Sequence, residues 1–233
     1  MAFAGVARVH NWEMDGKFIF RHVKLEKGGW FYKHPTTDGA CWEHGNANLS
    51  SNRKWCIKKP ALADRMMWRH DAVLRAIETG RAIYWCEGEK DANKAIDAWG
   101  VCATSHHNGS GMASNAQIEL IARHRGTLRL VMDADPAGVD IAWTHAVRLQ
   151  AAGVLAERIH FYQPAEGFND LYLHIKGKKG RADLVERTHA EIEAMYKKVI
   201  EAKRRNPGTY YGSCGADDLE ALAAINSPDW SER

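Results

Sequence analysis

The sequence predicts an α/β protein: a central, mostly parallel sheet flanked by helices, preceded by a small basic antiparallel β-rich subdomain and followed by a helical C-terminal segment. Two apolar runs predict the parallel sheet, at residues 81–91 and 128–138. Each stops abruptly at acidic residues followed by a glycine, as a buried parallel strand does where its carboxyl end carries a site. Turn signals at Asp15-Gly16 and Gly28-Gly29, between aromatic and β-branched runs, predict the antiparallel hairpins.

Composition limits the class of protein. The chain has 233 residues, a net charge of +3 and a pI near 8.5, which permits nucleic-acid binding without requiring it. Its five cysteines include no C-x-x-C pair, so we expect neither a zinc ribbon from this chain nor a disulfide framework. No apolar stretch reaches membrane-spanning length and the N-terminus lacks a signal-peptide core, which predicts a cytoplasmic protein, in the host cytoplasm if a phage encodes it.

Hydrophobic spacing gives the order of the remaining elements. A linking helix is predicted over residues 61–79 and ends at Gly80. The parallel strands are predicted at residues 82–86, 101–105, 128–132 and 158–162. The helices between them are predicted at residues 91–99, 115–124 and 139–152, and a charged amphipathic helix over residues 181–205. We therefore predict domains at residues 1–80, 81–179 and 180–233.

The amino-terminal subdomain is basic and interleaved with aromatic residues. Cations suit the phosphates of a single strand and aromatic faces suit its bases. The alternative is a small domain with an aromatic core and solvated charges. The candidate nucleic-acid contacts, including those of the polar connecting loop, are Arg21, Lys24, Lys33, Arg53, Lys54 and Lys58.

Three carboxylates carry the predicted chemistry. Glu87 follows the first apolar run, and Asp133 and Asp135 follow the second. If the two strands are neighbours, these side chains converge on a small volume, where a hard divalent cation such as Mg²⁺ relieves their repulsion. Acidic strand ends are also common as solvated turns and helix caps, which is the alternative for each residue taken alone.

At these residues the chain resembles the TOPRIM domain of bacterial-type primases, topoisomerases and several nucleases. Glu87-Gly88 resembles the family's glutamate motif, and the segment at residues 133–138, Asp-Ala-Asp-Pro-Ala-Gly, resembles its Asp-x-Asp motif. The similarity covers residues 82–177 and is strongest to phage and plasmid primases. It implies Mg²⁺ or Mn²⁺ as cofactor, with Glu87, Asp133 and Asp135 as catalytic metal ligands.

The resemblance extends to further acidic residues. It implies that Asp91 is a second-tier metal ligand, whereas its alternative is a first-turn acid that complements the helix dipole. The chain departs from the family at Phe168 and Asn169, where a further acidic motif is expected, which leaves Asp170 and Glu166. A second metal is therefore less firmly predicted than the first.

Two features near these acids could contact phosphate. Lys90 is either a phosphate contact or a solvated lysine. The loop at residues 106–111 offers the amides of Gly109 and Gly111 to a phosphate. The adjacent His106 and His107 are expected to be solvated.

The leading hypothesis is a primase-like, magnesium-dependent nucleotidyltransferase that makes short RNA primers on single-stranded DNA in phage or plasmid replication. Its partners would be the template strand, nucleoside triphosphates, and a separate helicase or zinc-ribbon protein, because the chain has neither a Walker A motif nor a zinc ribbon. The alternatives are a TOPRIM nuclease that hydrolyses phosphodiesters with the same carboxylates, and a non-catalytic module that binds nucleic acid or a replisome.

Overall fold

A computed structural model describes residues 6–26, 30–35, 55–56, 59–108 and 111–205. It contains two sheets, and the predicted mixed α/β class with a small antiparallel sheet is confirmed. The helices that accompany the sheets are α1 His70–Thr79, α2 Glu89–Trp99, α3 Asn115–Ala122, α4 Pro136–Ala151, α5 Leu171–Lys176 and α6 His189–Arg205.

The antiparallel sheet has the strand order β1-β2-β3-β4. Its strands are β1 Val6–Met14, β2 Lys17–Leu25, β3 Trp30–Pro35 and β4 Trp55–Cys56. Asp15 (φ 52°) and Gly16 (φ 67°) form the predicted hairpin turn, because a two-residue turn of this kind needs positive φ. The Asp71 carboxylate accepts hydrogen bonds from both turn amides, at 3.0 and 3.2 Å, and these bonds, led by that from Asp15, lower the pKa of Asp71. The predicted turn at Gly28-Gly29 lies outside the described residues.

The second sheet has the order β6-β5-β7-β8-β9. Its strands are β5 Ile83–Cys86, β6 Cys102–Thr104, β7 Leu128–Val131, β8 Ile159–Gln163 and β9 Val185–Arg187. The first four are parallel, and β9 pairs antiparallel with β8. All four predicted parallel strands and the three helices between them are therefore present, with ends that differ by a few residues from those predicted.

The hydrophobic core lies on both faces of this sheet. Ile83 and Trp85 pack on one face in a cluster with residues of α4 and α6. Tyr84, on the opposite face, belongs to a second cluster that includes Trp12 and Phe20 of the antiparallel sheet. The antiparallel sheet therefore packs directly against the α2 and α5 side of the parallel sheet.

The single helix predicted over residues 61–79 is wrong. A 3-10 turn at Ala61–Arg65 is followed by extended backbone at Met66, and α1 begins only after Arg69, whose φ is 57°. The amide of Trp68 donates to Ser105 O at 2.8 Å and its carbonyl accepts from Thr104 Oγ1 at 2.6 Å. These long-range bonds hold the segment extended, which local helix propensity does not reveal.

The helix predicted from residue 181 is also wrong in its first part. A 3-10 turn at Arg181–Asp183 leads into β9, and α6 begins at His189. The β9 strand pairs the exposed edge of β8, so tertiary pairing overrides helix propensity here. Thr188 and Glu191 bond each other's backbone amides at the start of α6, and this T-x-x-E capping box marks the true boundary in the sequence. Among the described residues no helix is long and apolar enough to cross a membrane.

Candidate active site

Glu87 and Asp133 lie at the same edge of the parallel sheet. Strands β5 and β7 are adjacent and parallel, with Cys86 opposite Val131 at their carboxyl ends. Glu87 is the next residue after β5, and Asp133 is the second residue after β7. The neighbouring strand ends that the predicted metal site requires are therefore present, and we call this edge the carboxylate rim.

The loop after β7 has a shape that needs Gly138. Asp135 caps α4, with its Oδ1 accepting from the Gly138 amide at 2.8 Å. A Cβ at Gly138 would lie 2.5 Å from the Asp133 carbonyl oxygen and 2.7 Å from its amide nitrogen. Only glycine allows this close approach, so Gly138 fixes the backbone that presents Asp133.

The pKa values of Glu87 and Asp133 at the carboxylate rim are raised. Burial, together with the charges of Asp135 and Asp91, raises the pKa of Glu87 to about 7. Burial also raises the pKa of Asp133 to about 8, with Glu87 as the strongest repelling charge. Glu87 and Asp133 are therefore both repelled by neighbouring carboxylates in a poorly hydrated volume, as buried acidic groups that lie close together are.

This environment fits a divalent cation. Glu87 Oε2 is buried and has no hydrogen-bond partner among the described residues. As they stand, no three Asp, Glu, His or Cys side chains in the described part of the chain are arranged to hold a metal ion. A cation would supply both the missing partner for Glu87 and the charge that lets the carboxylates turn toward one another.

Asp91 and Asp170 lie beside this rim and are joined by a lysine. Asp91 Oδ1 accepts from the Tyr172 amide at 2.9 Å, and burial raises the pKa of Asp91. Asp170 caps α5, and its Oδ2 accepts from Lys90 Nζ at 2.6 Å. Lys90 is thus ion-paired rather than simply solvated, and its role as a phosphate contact stays a prediction. Glu166, the other acidic residue between β8 and α5, is exposed.

The histidine loop before α3 differs from expectation. His106 and His107 are buried, so the prediction of solvated rings is wrong. The His106 ring accepts from Trp85 Nε1 at 3.3 Å and donates through Nε2 to Gly111 O at 2.6 Å, which fastens the loop to the sheet. The Gly111 amide donates to Asn108 O at 2.9 Å, so it already has a partner within the loop, and Gly109 lies outside the described residues.

The predicted basic contacts divide between the two faces of the antiparallel sheet. Arg21 lies opposite Lys33 and donates to Asn11 Oδ1 at 2.9 Å. Lys24 lies on the other face, the one that packs toward α2, with its Nζ 5.3 Å from the Trp30 ring centroid. The remaining predicted contacts, Arg53, Lys54 and Lys58, lie outside the described residues. Of the aromatic residues, Trp12 is core, at 1% exposed, whereas Trp30 is 42% exposed.

A strip of cations leads to the rim, and sequence reasoning missed its first member, Arg8. Arg8 lies opposite Lys24, and Lys24 lies opposite Trp30, so the three form a row across β1, β2 and β3. The guanidinium of Arg8 is 5.8 Å from the centroid of the Tyr172 ring. Alternation along β1 places Arg8 on the same face as the buried Trp12, which is the signal in the sequence that could have found it.

Two helical lysines complete this strip. Lys90 Nζ lies 5.0 Å and Lys94 Nζ lies 6.0 Å from the centroid of the Tyr172 ring. Cations from β1 and α2 therefore surround one half-buried aromatic ring. We call Arg8, Lys24, Trp30, Lys90, Lys94 and Tyr172 the cationic strip.

Solved structures of similar fold were found. A structure described as the DnaG catalytic core matches with a TM-score of 0.50 and 12% identity over 93% of this chain. The match covers 61% of that structure, so this chain spans about three fifths of it. A DNA primase domain from Pseudomonas aeruginosa gives a TM-score of 0.48 and 14% identity over 93% of this chain and 66% of that one.

A DnaG primase catalytic domain described as bound to single-stranded DNA gives a TM-score of 0.46 and 15% identity, over 89% of this chain and 68% of that chain. No protein-family description matches the sequence. No curated protein matches it either. The chain therefore has the fold of the DnaG primase catalytic core.

Proposed function

We propose that this protein is a primase-like nucleotidyltransferase that uses Mg²⁺ or Mn²⁺ to join nucleotides on a single-stranded DNA template. The observation that carries the proposal is the placement of Glu87 and Asp133 at adjacent strand ends, where burial and neighbouring carboxylates raise the pKa of both. Such a pair binds a divalent cation more readily than it stays doubly ionised without one. The DnaG-like fold supports the choice of reaction.

The residues divide into two roles. Glu87, Asp133 and Asp135 would hold the cation, and Asp91 and Asp170 add negative charge around them. When bound, the cation supplies charge stabilisation to the phosphates of a nucleoside triphosphate and lowers the pKa of the attacking hydroxyl. Asp135 also caps α4, so its second oxygen is the one left for a ligand.

The cationic strip would hold the template. Lys24 and Arg8 can contact phosphates, and the exposed face of Trp30 can stack on a base. The strip ends at Tyr172, whose amide bonds Asp91 beside the carboxylate rim. A strand held along this strip would therefore arrive at the site where nucleotides are joined.

The test is oligonucleotide synthesis. Purified protein, a single-stranded template, Mg²⁺ and labelled ribonucleotides should give short products, and Asp133→Asn should abolish them while the protein stays folded. An arm without nucleotides, containing a labelled strand, identifies hydrolysis instead. Cleavage of that strand without synthesis would replace the proposal with a nuclease, and binding without either product would replace it with a non-catalytic module. A parallel reaction with deoxynucleotides in place of ribonucleotides shows whether the enzyme makes DNA or RNA.

A further inference from the structure

Glu89 is a buried acid that the proposed chemistry does not use. It is the second residue after Glu87 and begins α2, where first-turn acids usually face solvent. Here its side chain is 3% exposed, and Glu89 Oε1 accepts a hydrogen bond from His22 Nδ1 at 2.8 Å. The bond joins α2 of the parallel sheet to the middle of β2 in the antiparallel sheet.

The His22 ring is held from both sides. It stacks on Trp30 with a centroid distance of 4.2 Å and on Tyr32 at 5.2 Å, with interplanar angles of 24° and 13°. Tyr32 is also its cross-strand partner in β3. The imidazole therefore has one fixed orientation, and its Nδ1 points at Glu89.

Stability alone does not explain the pair. Burying a carboxylate is costly, and a well-packed apolar pair of similar volume is often as stable. The position of the pair suggests another role, because Gly88 alone separates Glu89 from Glu87. Gly88 is the N-cap residue of α2, is extended with φ −134° and ψ 163°, and provides no side-chain cap.

The turn that carries Glu87 is thus anchored at two ends. Strand β5 holds one end through its pairing with β6 and β7. The His22–Glu89 bond holds the other end. Gly88 between them has the freedom of a residue without Cβ, so loss of one anchor would release the Glu87 backbone.

We propose that His22 and Glu89 are positioning residues that fix Glu87 relative to the antiparallel sheet. This inference rests on the proposed function, because it assigns the pair to the metal site and the strand-holding surface. Trp30 stacks on His22 and is exposed, so the contact that would hold a base lies two side chains away from Glu89. The geometry of the template surface and that of the carboxylate rim are therefore linked.

The test removes the bond and keeps the volume. In a His22→Leu/Glu89→Met double variant we expect at least a tenfold lower kcat with KM for nucleotide within twofold. We also expect at least fivefold weaker Mn²⁺ binding and faster amide exchange across residues 87–90. His22→Asn, whose amide nitrogen replaces Nδ1 as donor, should restore most of kcat and Mn²⁺ affinity. If the double variant does not fold, His22→Phe/Glu89→Gln, which keeps the stacked ring and removes both the donor and the buried charge, takes its place in the same assays.

The matched control is a second, partly buried ion pair. Lys203 Nζ lies 2.6 Å from Asp140 Oδ2 and joins α6 to α4. Lys203→Met/Asp140→Leu should leave kcat, Mn²⁺ affinity and exchange at residues 87–90 unchanged.

Two outcomes would overturn the inference. Unchanged kcat, Mn²⁺ affinity and exchange in the double variant would make the pair merely structural, and the proposed function would stand if Asp133→Asn were still inactive. Equal losses in the Lys203 and Asp140 control would show a general effect of removing ion pairs. If the wild-type protein made no product, the proposed function would fail, and Mn²⁺ affinity and exchange would still decide the inference.

Discussion

Asp133→Asn should stabilise the metal-free protein at alkaline pH, although it removes a predicted ligand. Burial, followed by repulsion from Glu87, raises the pKa of Asp133 to about 8. Between about pH 4 and pH 8 the folded state therefore binds more protons at this group than the unfolded state does. The free energy of unfolding must fall as the pH rises through that window.

The pKa shift sets an upper limit on the change in the free energy of unfolding. The pKa of Asp133 moves from 3.8 to about 8 on folding, and each factor of ten corresponds to about 1.36 kcal/mol, which gives roughly 6 kcal/mol. Glu87 titrates together with Asp133, so part of this energy belongs to the pair. The asparagine amide must also find hydrogen-bond partners. We therefore expect a gain of about 2–3 kcal/mol at pH 8, declining toward zero near pH 4.

The assay is urea unfolding in EDTA at pH 8 and near pH 4. Asp97→Asn, an exposed acid on α2, is the control and should change stability by less than about 0.5 kcal/mol. Adding Mg²⁺ at pH 8 should stabilise the wild type more than the Asp133 variant. A variant that is less stable than wild type at pH 8 in EDTA, or equally affected at both pH values, would refute the electrostatic account of the rim.

Three further predictions test other parts of the structure. Gly138→Ala should destabilise the fold by about 2–4 kcal/mol and weaken Mn²⁺ binding, measured by urea unfolding and titration, because its Cβ would meet the Asp133 backbone. Lys24→Ala should weaken binding of single-stranded DNA and reduce the salt slope by about one, whereas Arg21→Ala on the other face should not, as fluorescence anisotropy would show. Asp71→Asn should lower Tm at pH 7, as calorimetry would measure. The lowered pKa of Asp71 means that its ionised form stabilises the fold above its unfolded pKa. This stabilisation is lost as the pH falls through the folded pKa, so the Tm difference should vanish in acid.

The parallel sheet was predictable because its signals are local. Residues 83–86 form a continuous apolar strand that is buried on both faces, residues 128–131 form a mostly apolar one interrupted by Arg129, and each is followed by acids and glycine. The adjacency of the two strands depended on the family resemblance rather than on spacing. The elements that failed, the break before α1 and strand β9, owe their non-helical backbone to distant partners at Ser105 and in β8.

The acidic residues of the candidate active site could be predicted from the sequence, but the contacts around them could not. Glu87 and Asp133 were found because a strand end followed by a carboxylate is visible in the sequence. The burial of His107 and the bond between His22 and Glu89 depend on how the two sheets pack, which no local pattern records. The division of basic residues between faces was accessible from β-strand alternation, but only once the register was known.

The most direct test of the carboxylate rim is a Mn²⁺ titration followed by electron paramagnetic resonance. The wild-type protein should bind at least one Mn²⁺ ion, which Mg²⁺ displaces, and Glu87→Gln and Asp133→Asn should each lose that ion while remaining folded. Wild-type affinity in both variants, or no bound Mn²⁺ in the wild type, would contradict a shared cation at the ends of β5 and β7.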